Sequence, residues 1–484
     1  MKQFMGKDFM LDTPTAESLY TNYAAKMPIF DYHSHISPEA VATDRQFSSL
    51  TELWIDDDIY KRRAMRTNGV EEKYCFGHEV SDWERFEKWA ETVPYTICTP
   101  LYHMTYLELY SAFGITQLLN KDNARDVYDR CNDLLRRPEY SARGLLRRYN
   151  VKAFCTTDDP TDDLRWHRLM KENCTDLRML PTFRPDRAMN IEQRDFAAYV
   201  RKLGDTAGVK VTHFDDLMEA LQRRHDYFAA NDCRLSDHNI EEFYDEHYTS
   251  SQIEVIFEKA MRGQTLSQFE IHQYKHCFLT RMSEMDYDSG WAQEYHCGAI
   301  RDNNSLMFDK LGSNISYDSI GEFSTALAMS HFLNELNSEG KLTRTILFAI
   351  NPNSDEMIAT MLGNFQDGTC PGKIQFGLGW WLHNQYDVIQ RHLRSLCVDG
   401  ALSRFIGIMT DAHALISYPR HEYFRRLLCN MIGNDVEEGL IPHDEKLLGR
   451  LICDISYNNV ASYLSGHCPG EDQEGAAHEN KVRA

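Results

Sequence analysis

Residues 29–35 read IFDYHSH, a short apolar run that ends in two histidines separated by one residue. In an extended strand, residues i and i+2 point to the same side, so His33 and His35 are predicted to face one side of the sheet together. Two imidazoles held side by side form half of a tetrahedral metal shell. The His-x-His pattern alone is a weak signal, and core packing is the alternative explanation. Its place directly after a predicted buried strand favours the metal site.

The same pattern, an apolar run followed at once by polar residues, recurs along the chain and predicts eight strands. They cover residues 29–30, 151–154, 180–183, 233–235, 291–295, 346–350, 374–376 and 405–409. Short, wholly apolar strands are typical of parallel sheets that are covered on both faces. Polar residues at strand C-termini are where (β/α)₈ barrel enzymes hold their catalytic groups. The sequence therefore predicts an α/β fold, a TIM-type (β/α)₈ barrel.

Two intervals between predicted strands are too long for a simple crossover and have helical patterns. Residues 39–150 are predicted to form a helical insertion after strand one, over the barrel mouth, and residues 239–289 a second helical insertion between strands four and five. Residues 1–38 then hold the N-terminal segment with strand one, and residues 151–468 hold the rest of the barrel. Residues 469–484 are nearly devoid of large apolar side chains, which predicts a disordered tail.

Composition narrows the class of protein. With 484 residues, of which 42% are hydrophobic, the chain can form a barrel with insertions and a large core. Its net charge of -21 argues against binding to nucleic acid or to an anionic membrane surface. The thirteen cysteines include no C-x-x-C pair, and there is no secretory signal or membrane-spanning apolar run. We therefore predict a cytoplasmic enzyme for a small molecule, with a homo-oligomer as the default assembly.

Three further residues are predicted to face the barrel mouth. Asp411 ends strand eight, which neighbours strand one in a closed barrel, so its carboxylate is the expected third metal ligand; a helix N-cap is the alternative. His296 ends strand five and suits a ligand, a substrate donor or a hydrogen-bonded core histidine. Arg184 can bind a substrate carboxylate through its fork, or pair instead with Asp186 or Asp159.

Three other sequence patterns bear on the predicted function. Residues 376–381 read FGLGWW and suit the wall of a sugar-sized pocket through Trp381, although paired tryptophans are more often core residues. Gly368 and Gly372 precede Lys373 with three residues between them and not four, and Ile374 takes the Ser/Thr position, so the phosphate-loop pattern fails. The chain has no G-x-S-x-G motif, which excludes a serine hydrolase of that type.

Taken together, the motifs resemble those of the uronate (glucuronate) isomerases, a branch of the amidohydrolase superfamily, over residues 9–464. The two most specific stretches are GNFQDG at 363–368 and YPRHEYFRR at 418–426. Further stretches lie at residues 30–35, 60–69, 100–103, 183–186, 298–304 and 318–321. The resemblance implies aldose–ketose isomerisation of D-glucuronate to D-fructuronate and of D-galacturonate to D-tagaturonate, through a cis-enediolate.

The resemblance also implies roles for the candidate residues. It implies that His33, His35 and Asp411 bind a divalent metal, expected to be Zn²⁺, which polarises the substrate and stabilises the enediolate. Either Asp411 or a metal-bound hydroxide serves as the base. Tyr60, from the first insertion, is expected to donate a hydrogen bond to the oxyanion or to shuttle a proton. The residues expected to contact substrate are Tyr60, Arg184, His296 and Trp381.

Strand eight departs from the family pattern. Residues 410–414 read TDAHA where the family usually has Thr-Asp-Ser-Arg-Ser, so His413 replaces an arginine that faces the pocket. Histidine lacks the bidentate fork and is only partly charged near neutral pH. Loss of a preorganised charged donor commonly costs about 2.7–4 kcal/mol in a transition state. We therefore expect the fold and metal site to be kept while turnover is impaired. Smaller departures are Ile59 and Arg62 for histidine and tryptophan, and Glu294 for glutamine.

Two other functions stay open at this point. A metal-dependent hydrolase on the same barrel is the first, although strand four ends in residues 236–238, Ser-Asp-His, without a lysine to be carbamylated. A non-catalytic sugar-acid binder is the second, and it is suggested by the altered strand-eight motif.

Overall fold

The computed structural model describes residues 2–77, 79–399 and 402–465; the tail predicted at residues 469–484 lies outside them. Nine strands occur within these ranges. They are β1 (Ile29–Asp31), β2 (Val151–Cys155), β3 (Arg178–Leu180), β4 (Leu235–Ile240), β5 (Ala292–Cys297), β6 (Ala299–Ile300), β7 (Ser319–Ile320), β8 (Thr345–Ala349) and β9 (Ile374–Phe376). Seven of the eight predicted strands are thus regular strands, with their ends shifted by a few residues.

The strands form two parallel sheets and one small antiparallel pair. The first sheet has the order β1-β2-β3 and the second the order β4-β5-β8-β9, while β6 and β7 pair antiparallel. An isolated parallel bridge between Phe183 and Ser236 connects the two sheets at one seam. This is the strand order of a (β/α)₈ barrel, which confirms the predicted fold class, but the backbone ladder is interrupted at the seams.

The eighth predicted strand, residues 405–409, is an extended segment with a single bridge, Leu378 to Ile408, and not a regular strand. Gly407 has φ +80°, a left-handed conformation that breaks a ladder. Beyond Gly407, side chains bond the backbone where a neighbouring strand would otherwise pair. The Asp31 carboxylate accepts from the amide of Thr410, and Arg420 donates to the carbonyl of Thr410. Just beyond this segment, the chain pairs with the residues that follow β1 through two backbone hydrogen bonds, from Asp411 N to His33 O and from His35 N to Ala412 O.

Helices surround the sheets. The α-helices are α1 (Pro14–Asn22), α2 (Pro38–Ala42), α3 (Leu50–Trp54), α4 (Ile59–Thr67), α5 (Glu72–Cys75), α6 (Asp82–Thr92), α7 (Pro100–Phe113), α8 (Ala124–Leu135), α9 (Ala142–Arg148), α10 (Arg165–Asn173), α11 (Asp186–Met189), α12 (Phe196–Ala207), α13 (Phe214–Ala230), α14 (Ser250–Met261), α15 (Gln268–Asp288), α16 (Ser305–Leu311), α17 (Thr325–Ser338), α18 (Asp355–Asn364), α19 (Tyr386–Asp399), α20 (Pro419–Glu437), α21 (Glu445–Cys453) and α22 (Asn459–Ser465). Short 3₁₀ helices lie at Ala24–Lys26, Val93–Thr96, Pro138–Tyr140, Pro352–Ser354, Trp381–Asn384, Leu402–Arg404 and Leu415–Ser417, and a π-helical turn at Asp454–Asn458. No helix in the described ranges combines the length and apolarity that crossing a membrane requires.

The long intervals are helical, as predicted. Helices α2 to α9 lie between β1 and β2, and helices α14 and α15 lie between β4 and β5. A third excursion was missed: β6, α16 and β7 lie between β5 and β8, where the sequence suggested only a crossover. The division into subdomains at residues 38 and 150 stays a prediction.

Three apolar clusters hold these layers together. One lies among the barrel strands and includes Phe30, Ala153, Leu235 and Phe348. A second lies within the first insertion and reaches the underside of β1 and β2, and the third lies between the outer helices and the sheets. Each large apolar side chain buried in this way contributes roughly 1.5–3 kcal/mol. The strand ends that carry polar residues are therefore fixed to a rigid frame.

Candidate active site

The three predicted metal ligands come together at one end of the barrel. Nε2 of His33 and Nε2 of His35 lie 3.6 Å and 3.2 Å from Oδ1 of Asp411. The ligand atoms of all three residues lie within 4.8 Å of one another. Asp411 adopts φ +49°, in the left-handed region that few residues other than glycine enter, and its amide is bonded to the carbonyl of His33. That bond places the carboxylate against the two imidazoles.

Charge balance at this cluster favours a cation. Burial raises the pKa of Asp411, but hydrogen bonds to His33 and His35 outweigh burial and hold its pKa well below the ordinary value. Burial lowers the pKa of His33, yet the carboxylates around it outweigh burial and raise that pKa well above the ordinary value. A buried carboxylate between two imidazoles is a donor set that divalent metals accept, and catalytic sites with three protein ligands keep a position open for substrate. The residues present therefore fit a divalent ion.

His296, on β5, lies next to this cluster. Its Nδ1 is 2.7 Å from Oδ1 of Asp237, its ring is stacked on Phe348 at 4.3 Å, and its ring centre is 4.5 Å from that of His33. Burial lowers its pKa to about 4, so it is neutral near pH 7. With Nδ1 bonded to the carboxylate, the buried Nε2 has no hydrogen-bond partner among the described residues. A lone pair is thus left for a ligand that enters the barrel mouth.

Arg184 is held on both sides by carboxylates. Its Nε lies 2.7 Å from Oδ2 of Asp186, and its Nη1 lies 3.2 Å from Oδ2 of Asp237. Of the pairings that the sequence suggested, the structure contains the one with Asp186; Asp159 is not a partner, and Asp237 was not foreseen. These contacts fix the guanidinium in place beside the histidines.

A cavity of about 480 Å³ opens over these groups. Its walls include seven of the predicted site residues, namely His33, His35, Arg184, His296, Trp381, Asp411 and His413. The cavity is large enough for a small polar molecule and is of the usual size for a ligand site. The structure thus brings these seven residues to one space.

Tyr60 is the exception, because it lines the adjoining cavity of about 570 Å³. Trp381 belongs to both walls. The Tyr60 hydroxyl is buried beside the side chain of Asn384, and the Arg420 guanidinium lies 5.5 Å from the centre of the Tyr60 ring. Burial, followed by the charge of Asp411, raises the pKa of Tyr60, which keeps the hydroxyl a proton donor. Contact between Tyr60 and substrate stays a prediction.

The helix that carries Tyr60 is anchored by buried charges. Oδ1 of Asp58 accepts from the amides of Tyr60 and Lys61, which caps α4. The fully buried Lys61 ammonium lies 2.6 Å from Asp58 and 3.3 Å from Glu108, and 4.8 Å from the centre of the Trp54 ring. These contacts hold the start of α4 in a single position.

His413 is stacked on His35, with ring centres 4.6 Å apart and an interplanar angle of 17°. Burial, and then repulsion from His35, lowers the pKa of His413 to about 3. From the sequence alone, a partly charged side chain is expected near neutral pH, whereas in the folded protein His413 is uncharged. The positive charge that an arginine would bring is therefore entirely missing at this position.

Two acidic residues of the site were given no role from the sequence. Asp237 on β4 forms an ion pair with Arg184 and a hydrogen bond with His296, and Oε2 of Glu294 on β5 lies 3.1 Å from Nδ1 of His33. Both carboxylates are fully buried, and with His33 and His296 they form a second group of atoms within metal-binding reach. For Glu294 the sequence did contain a signal, because an acidic residue lies inside a predicted apolar strand, two residues before His296.

Comparisons with known proteins agree with this geometry. A family model described as glucuronate isomerase matches residues 1–464. The uronate isomerase of Phocaeicola vulgatus is 55% identical over 96% of this chain and 100% of its own length, and that of Bacteroides thetaiotaomicron is 55% identical over the same shares. The crystal structure of uronate isomerase from Thermotoga maritima superposes with a TM-score of 0.90 at 30% identity, over 96% of this chain and 100% of that one.

Proposed function

The chain belongs to the glucuronate isomerase family, and on that premise we propose that it is an aldose–ketose isomerase acting on hexuronates. The substrates are D-glucuronate, which becomes D-fructuronate, and D-galacturonate, which becomes D-tagaturonate. The observation that carries the proposal is the convergence of two imidazoles and one ionised carboxylate on a polar cavity. Isomerisation moves one proton from C2 to C1 and a second from O2 to O1, which leaves the carbonyl at C2, so it needs a base and a stabiliser of enediolate charge.

His33, His35 and Asp411 are the residues that hold the metal. The divalent ion that they would hold, for which Zn²⁺ is the first candidate, would supply Lewis-acid polarisation of the substrate oxygens and stabilisation of the enediolate charge. Cavity, donor types and donor spacing support this assignment.

Asp411 is the base that transfers the proton. Its Oδ1 lies 3.6 Å and 3.2 Å from the Nε2 atoms of His33 and His35. Because its pKa lies well below the ordinary value, the carboxylate is ionised at neutral pH. The Asp411 carboxylate takes the proton from C2 of the open-chain aldehyde and returns it to C1 on the same face, as a cis-enediolate requires.

The remaining groups bind and orient the sugar acid. Arg184, held by Asp186 and Asp237, attracts the substrate carboxylate. Neutral His296 accepts a hydrogen bond from a substrate hydroxyl through Nε2, and Trp381 forms an apolar wall. Tyr60 donates to the enediolate oxygen. His413 lines the cavity without charge, so turnover is slower than an arginine at that position would allow.

Assay of metal-analysed protein with each hexuronate tests the proposal. We expect ketose formation and, in D₂O, deuterium at C1 of the product, together with loss of both in Asp411→Asn. The same protein is tested with amide and lactone substrates. Hydrolysis without isomerisation would replace the proposal by a metal-dependent hydrolase. Thermal stabilisation by hexuronates without any product would replace it by a sugar-acid binder. A homo-oligomer and a cytoplasmic location remain predictions from the sequence.

A further inference from the structure

Glu294 lies directly behind the first metal ligand. It is on β5, across the barrel from β1, and none of its surface is exposed. Its Oε2 is 3.1 Å from Nδ1 of His33, whose Nε2 lies 3.6 Å from Oδ1 of Asp411. The imidazole ring of His33 thus connects the buried Glu294 carboxylate with the predicted metal position.

Within the described ranges, His33 is the only ion-pair partner of this carboxylate. The second oxygen, Oε1, is buried and has no hydrogen bond to a described residue. A buried carboxylate that no lysine or arginine side chain contacts is costly to keep, because its desolvation is only partly offset by opposite charge. Such a group needs a positive charge, or a polarised N–H, supplied through His33.

Metal binding through Nε2 of His33 requires the ring proton on Nδ1, and an acceptor beside Nδ1 stabilises that tautomer. Asp237 is the other carboxylate near Nδ1, at 3.7 Å. It is already engaged, since His296 bonds Oδ1 at 2.7 Å and Arg184 lies 3.2 Å from Oδ2. Glu294 is therefore the acceptor that His33 has available.

We propose that Glu294 is a positioning residue for the metal, which accepts the Nδ1 proton of His33 and so directs Nε2 of that ring to the ion. The proposal rests on the function argued above, because it presumes an ion at His33, His35 and Asp411. Carboxylates that bond a ligating histidine in this way fix its tautomer and ring orientation and raise its basicity as a ligand. Glu294 touches neither the ion nor the substrate.

Metal affinity, and not only turnover, is the readout. Apo protein is titrated with Zn²⁺ against a chromophoric chelator, and with Co²⁺ to record its visible spectrum, for the parent, Glu294→Gln and Glu294→Met. We expect one equivalent per chain in all three. The dissociation constant should rise about 10-fold in Glu294→Gln, which keeps an acceptor, and up to about 100-fold in Glu294→Met, which has none. The Co²⁺ spectrum should shift in the methionine variant.

Asp355→Asn is the matched control. Asp355 is also a fully buried carboxylate bonded to a buried histidine, His383, at 3.2 Å, but it does not line the site cavity. Its replacement should leave the affinity for Zn²⁺ unchanged. If Glu294→Met does not fold, the nearly isosteric Glu294→Gln still decides the question.

Parental affinity in either Glu294 variant would overturn the proposal. So would two equivalents of metal in the parent with one of them lost in Glu294→Gln, since Glu294 would then be a ligand in its own right, within the second group formed with His33, Asp237 and His296. Hexuronate turnover is recorded separately. If the parent turns over no hexuronate but the Glu294 variants still bind the metal more weakly, the proposed function is refuted and the role of Glu294 is not.

Discussion

Replacing His413 by arginine tests the chemistry of the altered strand-eight motif. His413 lines the site cavity, is stacked on His35 at 4.6 Å, and is uncharged because its pKa is about 3. Arginine would bring a permanent charge and a fork of donors to the same wall. That charge would face the position where the enediolate develops beside His35 and Asp411.

The size of the gain follows from this geometry. If the guanidinium of the variant is as far from the enediolate as the 4.6 Å that separates the His35 and His413 rings, two unit charges interact by about 3.6 kcal/mol at an effective dielectric constant of about 20. This value lies inside the range of roughly 2.7–4 kcal/mol for one preorganised donor to a transition-state anion. Arg420 is close enough to lower the pKa of His413 and would repel a second guanidinium. We therefore expect the lower end, an increase in kcat of about 100-fold.

The assay compares kcat and KM for both hexuronates in the parent, His413→Arg and His413→Gln. The glutamine variant removes the imidazole without adding charge and should turn over like the parent. Metal content and melting temperature are matched first, so that a change in loading or folding is not read as catalysis. Equal kcat in parent and His413→Arg, with the metal bound in both, would refute the assigned cost of the missing charge.

Three further predictions follow from the structure. Removal of the divalent ion with a chelator should abolish hexuronate turnover, and Zn²⁺ should restore it; turnover by protein shown to be metal-free would contradict the metal assignment. Lys61→Met leaves the carboxylates of Asp58 and Glu108 buried without their cation, so the free energy of unfolding in urea should fall by about 3–5 kcal/mol, with partial recovery on adding Glu108→Gln; a loss below about 1 kcal/mol would show the cluster to be solvated. Burial raises the pKa of Asp158 to about 7, so between the unfolded value near 4 and pH 7 the folded state holds a proton that the unfolded state lacks. The parent should then lose stability as pH rises through this window, by roughly 1.4 kcal/mol per unit; Asp158→Asn should lack that slope, and parallel curves would exclude Asp158 as its source.

The features of the site that depend on short stretches of chain could be predicted from the sequence. The apolar run before His33 predicts a strand, and the spacing of two predicts that His33 and His35 share a side. Strand order in a barrel then brings Asp411, at the far end of the chain, next to them, as the 3.2 Å contact with His35 confirms. Both inferences use only local periodicity and one rule of topology.

Contacts across the barrel, and the charge states that follow from them, could not be predicted from the sequence and are known only from the tertiary structure. Glu294 and His33 are separated by 261 residues, and their 3.1 Å contact depends on the register of β4, β5 and β8 and on the width of the barrel. The uncharged state of His413 likewise follows from burial against His35, which no pattern in residues 410–414 contains. Strand eight loses its ladder because side chains of Asp31 and Arg420 bond the backbone of Thr410. Periodicity predicts which side of a strand a residue faces, whereas charge state and hydrogen-bond partners depend on which distant groups the closed fold brings within a few ångströms.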